Sequence, residues 1–290
     1  MASPSFRFGT VGAPFTTPKK PGGSLGAVQQ IRALGLGAFE LAWVQSVRVS
    51  EATCAAIRQA GREQDVALSV HASYFINLNG SEEEWPKSRK RLMDAAHYGN
   101  LAGATEIIFH PGSYFKRPPA EVLATVLPRL AGCVEELRRT GNPVTLRPET
   151  MGKSAMLGSL EDTLEMSGKI DGVVPCLDFA HLHARPGDGT VNTYAEWCQV
   201  LDAYQKTLGK GGMKNLSCHL SGIEYGPKGE RSHLPLEESD FDLGALLRAL
   251  KEFGAGGRIL VESTPHEQME KDALLVQRLW AKLSGESYPG

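Results

Sequence analysis

Five histidines, three glutamates and one aspartate of this sequence stand where short apolar runs stop, or in the loop that follows. Ala67–Val70 runs into His71, and Glu106–Phe109 into His110. Pro143–Leu146 leads to Glu149, and Val174–Leu177 to Asp178 and then His181. Asn215–Cys218 runs into His219, and Arg258–Val261 into Glu262. Glu230 and His233 follow in the loop after the seventh run. Neutral imidazole together with carboxylate suits Zn²⁺, Mn²⁺ or Fe²⁺, and no cysteine occupies these positions. The set is larger than one tetrahedral ion uses. A carboxylate such as Glu149 that bridged two ions would let them activate a water and stabilise a leaving oxygen, an arrangement used for phosphodiester cleavage. A lone histidine at the end of such a run is more often a satisfied core group. Six runs that all end in a ligand type argue instead for convergence on one place, because each polar group is costly to bury without a partner.

The elements that would position these residues are legible. Near-continuous apolar runs read as buried parallel strands, and two more precede the six, Phe6–Val11 and Ala38–Val44. Between them lie helical patterns with recognisable starts: Ser50 before Glu51, the box Ser81–Glu84 opening a helix to about Leu101, Ser159 before acidic residues, and the box Thr193–Glu196. Pro118-Pro119 opens a segment with Val122, Leu123, Val126, Leu127 and Leu130 on one helical face. Gly35, Gly61, Gly103, Gly141 and Gly254 fall where helices should end. Strand then helix, eight times, predicts a (β/α)₈ TIM barrel as a single domain over residues 1–290, with the site at the C-terminal face of the strands. A doubly wound open sheet fits less well, because polar residues close strands all along the chain rather than at one switch point. The long loops Ala13–Gly23, Ala184–Asn192 and Gly222–Asp240 read as irregular and fall on that same face.

With 41% hydrophobic and 22% charged residues the chain is ordinary globular protein, and a net charge of −2 neither demands nor excludes a polyanion partner. No run of about 18 apolar residues exists, so no membrane partner is expected. The start Met1–Arg7 lacks a signal peptide pattern, and the five scattered cysteines read as reduced thiols, so a cytoplasmic monomer is expected.

His110-Pro111-Gly112-Ser113, Asp178-Phe179-Ala180-His181 and Glu262-Ser263-Thr264 resemble signature segments of the endonuclease IV family of apurinic/apyrimidinic endonucleases. His71-Ala72-Ser73-Tyr74-Phe75-Ile76-Asn77-Leu78 is similar to that family's histidine–serine–tyrosine–isoleucine–asparagine–leucine segment. The resemblance runs from the third strand to the eighth. It implies a (β/α)₈ barrel holding two to three divalent ions, usually zinc, that cleaves duplex DNA 5′ to an abasic site and leaves a 3′-hydroxyl. It further implies that His71, His110 and Glu149 hold a first ion, that Glu149 bridges to a second held by Asp178, His219 and Glu262, and that His181 and His233 hold a third. Glu149 and Glu262 are then the candidate catalytic carboxylates.

Three departures stand out. The family's Asp-x-His segment is replaced by Glu230-Arg231-Ser232-His233, which makes Glu230 the weaker ligand candidate. Gly9-Thr10-Val11-Gly12 stands for Gly-Ala-His at the first strand. Arg147-Pro148-Glu149-Thr150 replaces the usual setting of the bridging glutamate. Neither of these last two changes removes a ligand, and both are expected to reshape the DNA-facing surface. The candidate DNA contacts are Tyr74, which would stack in the gap left by the missing base, with Asn77, Arg48, Lys153 and Arg231. His183 is an additional ligand candidate that reads better as a loop residue; His97 and His266 carry no signal. The alternative is a sugar isomerase or epimerase on the same barrel, with a single ion held by Glu149, Asp178, His219 and Glu262.

Overall fold

The computed structural model describes residues 6–285; Met1–Ser5, and with them most of the segment read as lacking a signal peptide, lie outside the described residues. The first half runs β1 (Phe6–Val11), α1 (Gly23–Ala33), β2 (Ala38–Ala42), α2 (Glu51–Glu63), β3 (Ala67–His71), α3 (Trp85–Ala102), β4 (Glu106–Phe109) and α4 (Pro119–Arg139). The second half runs β5 (Thr145–Pro148), α5 (Leu160–Lys169), β6 (Cys176–Asp178), α6 (Phe179–Ala184), α7 (Tyr194–Met213) and β7 (Leu216–Leu220). A hairpin of β8 (Gly222–Gly226) and β9 (Gly229–Leu234) follows, then α8 (Leu243–Glu252), β10 (Gly257–Val261) and α9 (His266–Ser284). Eight strands pair in parallel in the order β5-β4-β3-β2-β1-β10-β7-β6. The seam between β5 and β6 is bridged at Leu146–Val173 and Glu149–Cys176. The fold is thus the (β/α)₈ barrel expected. No helix among the described residues is long and apolar enough to cross a membrane. All five cysteines are free thiols.

Several local expectations need correction. Ser81 does cap Glu84, whose N–H lies 3.3 Å from the serine oxygen, but this closes a turn and the helix begins at Trp85. Gly35, Gly103, Gly141 and Gly254 end helices with positive φ. Gly61 instead lies inside α2, where an added Cβ would come within 2.8 Å of the Leu68 side chain. The region Gly222–Asp240, expected to be irregular, is mostly the β8–β9 hairpin.

Strand residues alternate between the two faces of the barrel wall. One alternate set (Phe8, Phe39, Leu41, Leu68, Val70, Ile107, Phe109, Ile259, Val261) packs with the helices in one core cluster. The other set fills the barrel and is largely polar: Glu40, Ser69, His71, Glu106, Arg147, Glu149, Asp178, Ser217 and His219 are all buried. At the base of the barrel Arg147 is fully buried and donates to Glu106 (2.5 Å), Pro175 O (3.1 Å) and Asn215 O (3.0 Å). Arg258 approaches the other oxygen of Glu106 at 3.5 Å. The Arg147 of the altered segment is therefore a floor of the barrel and does not reach a DNA-facing surface, which corrects that expectation.

Burial pushes the Glu106 carboxyl up, but Arg147 and Arg258 outweigh it and hold it below its ordinary value. A depressed folded value means stability that is complete above the unfolded value of about 4.3 and is lost as the pH falls through the folded one. Glu106→Gln leaves a buried guanidinium uncompensated and should cost about 3–5 kcal/mol at neutral pH. Urea unfolding at neutral and acid pH checks this: the variant should be weaker at neutral pH, and its deficit should shrink on acidification.

Candidate metal centre

The inward residues at the C-terminal ends of the strands form one continuous cluster around Glu149. Glu149 follows Pro148 at the end of β5, and its amide donates to Phe109 O of β4 (3.0 Å). Its Oε2 faces His71 Nε2 at 3.2 Å and His110 Nε2 at 3.4 Å. Its Oε1 faces His181 Nδ1 and His219 Nδ1, each at 3.4 Å. Asp178 closes β6. Its amide donates to Thr150 Oγ1 (2.8 Å), and its Oδ1 caps α6 by accepting from the His181 amide (2.7 Å). The short α6 is why the pair Asp178 and His181 meet: the strand ends on the acid, and one helical turn returns the histidine to the same side.

Potential ligand atoms of four groups lie within 4.8 Å of one another: His71, His110 and Glu149; Glu149, Asp178, His219 and Glu262; Asp178, His181, His233 and Glu262; and Glu40, His71 and His219. The sequence-derived set is thus brought together, and Glu149 belongs to two of the groups. Glu230 stands beside the cluster, with its Oε2 3.5 Å from His181 Nε2. The altered spacing of Glu230 and His233 has a structural answer. In the β8–β9 hairpin, Ser232 pairs with Glu224 and Glu230 with Tyr225, so Arg231 is an extra residue in a bulge. The bulge returns Glu230 and His233 to the same face, as a two-residue spacing would in a regular strand. Gly152 makes room for them: an added Cβ would lie 2.7 Å from Glu230 Cβ and 2.9 Å from a His181 ring carbon.

Hydrogen bonds fix the rings. His71 Nδ1–H donates to Ala72 O (3.0 Å), His181 Nδ1–H to Thr150 O (2.9 Å) and His233 Nδ1–H to Glu262 O (3.3 Å). Each therefore presents Nε2 to the centre. Two Nε2 atoms, of His181 and His233, face each other at 3.2 Å, which is repulsive unless a proton or a cation lies between them. Asp178 Oδ2 and Glu262 Oε1 are buried with no hydrogen-bond partner. Opposed lone pairs and orphaned carboxylate oxygens in one pocket are what a divalent cation would satisfy, so the donor set fits one.

The charges agree. Burial opposes ionisation of His181 and His219, yet neighbouring acids raise both well above the ordinary histidine range: Asp178, Glu149 and Glu230 for His181, and Glu40 and Glu149, beside the Cys176 thiol, for His219. Burial, with Asp178 and Glu149, pushes Glu262 well above the carboxylate range, while His219 and His110 overcome burial and hold Glu149 well below it. Burial pushes His110 down.

A cavity of about 310 Å³ opens over the cluster, lined by Tyr74, His110, Lys153, Glu230, His233 and Glu262 among others. The exposed Tyr74 ring stacks on His110 (centroids 4.8 Å apart, 22° between planes). Arg48 is exposed outside this lining and bonds Ser46, and Arg231 pairs with Glu224 at 3.2 Å on the hairpin. Asn77 Oδ1 accepts from the Asn79 amide and packs on Gly112, so it shapes its own loop. Arg185, a basic loop residue, spends its donors on Met151, Lys153 and Met156 carbonyls. His183 is tied to Thr190 O and Asp240, away from the cluster. Sequence reasoning missed Glu40, fully buried 2.9 Å from His219 Nε2, and Thr150, which braces Asp178 and His181.

Residues 28–279 match the sequence profile of the xylose isomerase-like TIM barrel family. The uncharacterized protein MJ0133 of Methanocaldococcus jannaschii is 36% identical over 277 residues, 95% of this chain and 97% of that one. Endonuclease 4 of Thermus thermophilus is 32% identical over 195 residues, 64% of this chain and 67% of that one. The crystal structure of endonuclease IV from Thermus thermophilus superposes with a TM-score of 0.69 at 25% identity, covering 96% of this chain and 99% of that one. A D-tagatose 3-epimerase-like protein shares the fold, with a TM-score of 0.72 at 18% identity over 97% of each chain. The chain belongs to the xylose isomerase-like TIM barrel family, as a divergent, endonuclease IV-like member.

Proposed function

We propose that this protein is a metal-dependent DNA repair endonuclease that hydrolyses the phosphodiester 5′ to abasic sites and leaves a 3′-hydroxyl. The observation that carries this reading is the overlap of two donor groups at Glu149, with the His181–His233 pair opening into the same cavity. His71, His110 and Glu149 would hold one ion, Glu149, Asp178, His219 and Glu262 a second, and His181 and His233, with Glu230 beside them, a third. When bound, such ions, zinc above all, supply Lewis acidity and a nucleophilic water at neutral pH. The likeness to endonuclease IV over nearly the whole chain supports the substrate class.

The protein's own groups have separable tasks. Glu149 keeps its charge where burial alone would remove it, and so joins the two halves of the centre. Tyr74, backed by His110, offers its outer face to the gap at a missing base. Lys153 stands at the cavity's edge, where a phosphate would pass. Phe75 and Phe115, in the loops after β3 and β4, are 57% and 59% exposed and would be available for further stacking. A sugar isomerase or epimerase is the second reading, because Glu149, Asp178, His219 and Glu262 alone form a complete one-ion quartet. It leaves His71, His110 and the His181–His233 pair without a task.

The test uses zinc-loaded protein, a duplex with an abasic analogue and an undamaged duplex. Incision only 5′ to the lesion is expected, with more than one ion per chain by elemental analysis. No incision, one ion per chain and turnover of a ketose would replace this reading with the isomerase. Glu149→Gln should fold, lose at least one ion and lose most incision. Tyr74→Ala should weaken binding to the abasic duplex by about 1–3 kcal/mol with metal content unchanged. Ions must displace protons held by His181, His219 and Glu262, so chelator competition should show zinc affinity falling as the pH is lowered from about 8 to about 6.

A further inference from the structure

Glu40 is a fully buried carboxylate in the middle of β2, and among the described residues no arginine or lysine forms an ion pair with it. Its Oε2 accepts from Ser69 Oγ–H (2.6 Å), the residue directly opposite on β3. Its Oε1 has no hydrogen bond, and lies 2.9 Å from His219 Nε2. A buried carboxylate so placed costs several kcal/mol unless something charged offsets it, and an apolar residue of the same length would fill the space without that cost. The nearest group that can offset it is the His219 ring, with Arg258 farther off. His219 is also the odd histidine of the centre. His71, His181 and His233 each have a backbone carbonyl on Nδ1, although the Nδ1 of His181 also lies near Glu149 and Asp178; His219 has no such carbonyl and turns Nδ1 toward Glu149 (3.4 Å) and Glu262 (3.9 Å). Its outer nitrogen meets Glu40 where the others meet a carbonyl. The Nδ1–Glu149 contact has hydrogen-bond geometry and the Nε2–Glu40 contact does not, so Glu40 acts by Coulombic attraction. Each nitrogen faces a carboxylate; with a divalent ion on the Nδ1 side the ring's one proton would sit on Nε2, drawn there by Glu40.

We propose that Glu40 is a positioning residue that holds His219 as the Nε2–H tautomer, leaving the Nδ1 lone pair free on the side where Glu149, Asp178 and Glu262 would hold a divalent ion with it. The inference rests on the reading of this centre as a divalent-metal site. It gives Glu40 the part of a carboxylate standing behind a metal-binding imidazole. Glu40, His71 and His219 also lie close enough to form a ligand group of their own. However, His71 Nε2 already faces Glu149 Oε2 at 3.2 Å, and Glu40 does not line the cavity over the cluster.

The experiment compares zinc-loaded wild type, Glu40→Gln and Glu40→Ala by chelator competition, and reads the ring ¹⁵N shifts of labelled histidine. Zinc-loaded wild type should show His219 protonated at Nε2. Glu40→Ala should weaken one ion by about 10–100-fold and disturb that signal. Glu40→Gln, whose amide oxygen still accepts, should lose less and keep the tautomer; it decides the matter if Glu40→Ala does not fold. Unchanged zinc affinity in a folded variant with lowered melting temperature would make Glu40 a packing residue and overturn the inference, leaving the centre intact. Complete loss of one ion from Glu40→Gln would make Glu40 a ligand and overturn it too. Wild type that retains no divalent ion would overturn the reading of the centre together with this inference.

Discussion

The inside of this barrel carries more negative charge than it can neutralise by itself. Five carboxylates, Glu40, Glu106, Glu149, Asp178 and Glu262, point into it, against two guanidiniums, Arg147 and Arg258. Both guanidiniums are committed to Glu106 at the base. The four acids nearer the mouth have only imidazoles as ion-pair partners among the described residues. In a medium of low polarisability that imbalance has to be met by cations or by protons. Without metal, the protons go where the fields send them: onto His181, His219 and Glu262, each pushed well above its ordinary range. Divalent ions would take over that duty. The remainder of the structure can be understood as the scaffold that tolerates this arrangement, with the apolar residues moved to the outer face of the wall and packed under the helices.

That division explains how much was readable in the chain. A polar residue of metal-ligand type at the end of an apolar run breaks a pattern, so the candidates His71, His110, Glu149, Asp178, His219 and Glu262 stand out, and the eight runs give the barrel. Glu40 does not, because it sits inside a run: Phe39 and Leu41 face the helices while Glu40 faces inward, and a single acid between them looks like a tolerated exception. Arg147 was misjudged for a related reason. Its neighbours Pro148 and Glu149 are at the mouth, but one strand position lower the same face leads to the base of the barrel, where Glu106 waits. Alternation along a strand is visible in sequence; depth within the barrel depends on strand register, which is set by pairing.

The rings of the centre are oriented by groups with little chemistry of their own. Backbone carbonyls of Ala72, Thr150 and Glu262 fix three histidines, and because every residue supplies a carbonyl the sequence carries no trace of this part of the arrangement. Thr150 is the exception, since its hydroxyl also accepts from the Asp178 amide and donates to Asp178 O, tying β5 to β6 at the point where the sheet closes. The same residue thus shuts the barrel and sets two donors, which couples the integrity of the seam to the geometry of the centre.

The bulge at Arg231 lies in a hairpin that contributes nothing to the barrel wall. A residue can enter or leave that ribbon without moving any of the eight strands, and the surplus is absorbed by one local kink. Lineages that share this barrel are therefore free to lengthen or shorten the spacing between the acid and the histidine while the pair still meets His181. A fixed-interval pattern would score such a chain as having lost the feature. Genomic surveys for relatives would recover it by allowing a one-residue gap at that point, and by requiring a glycine where Gly152 lets the ribbon approach.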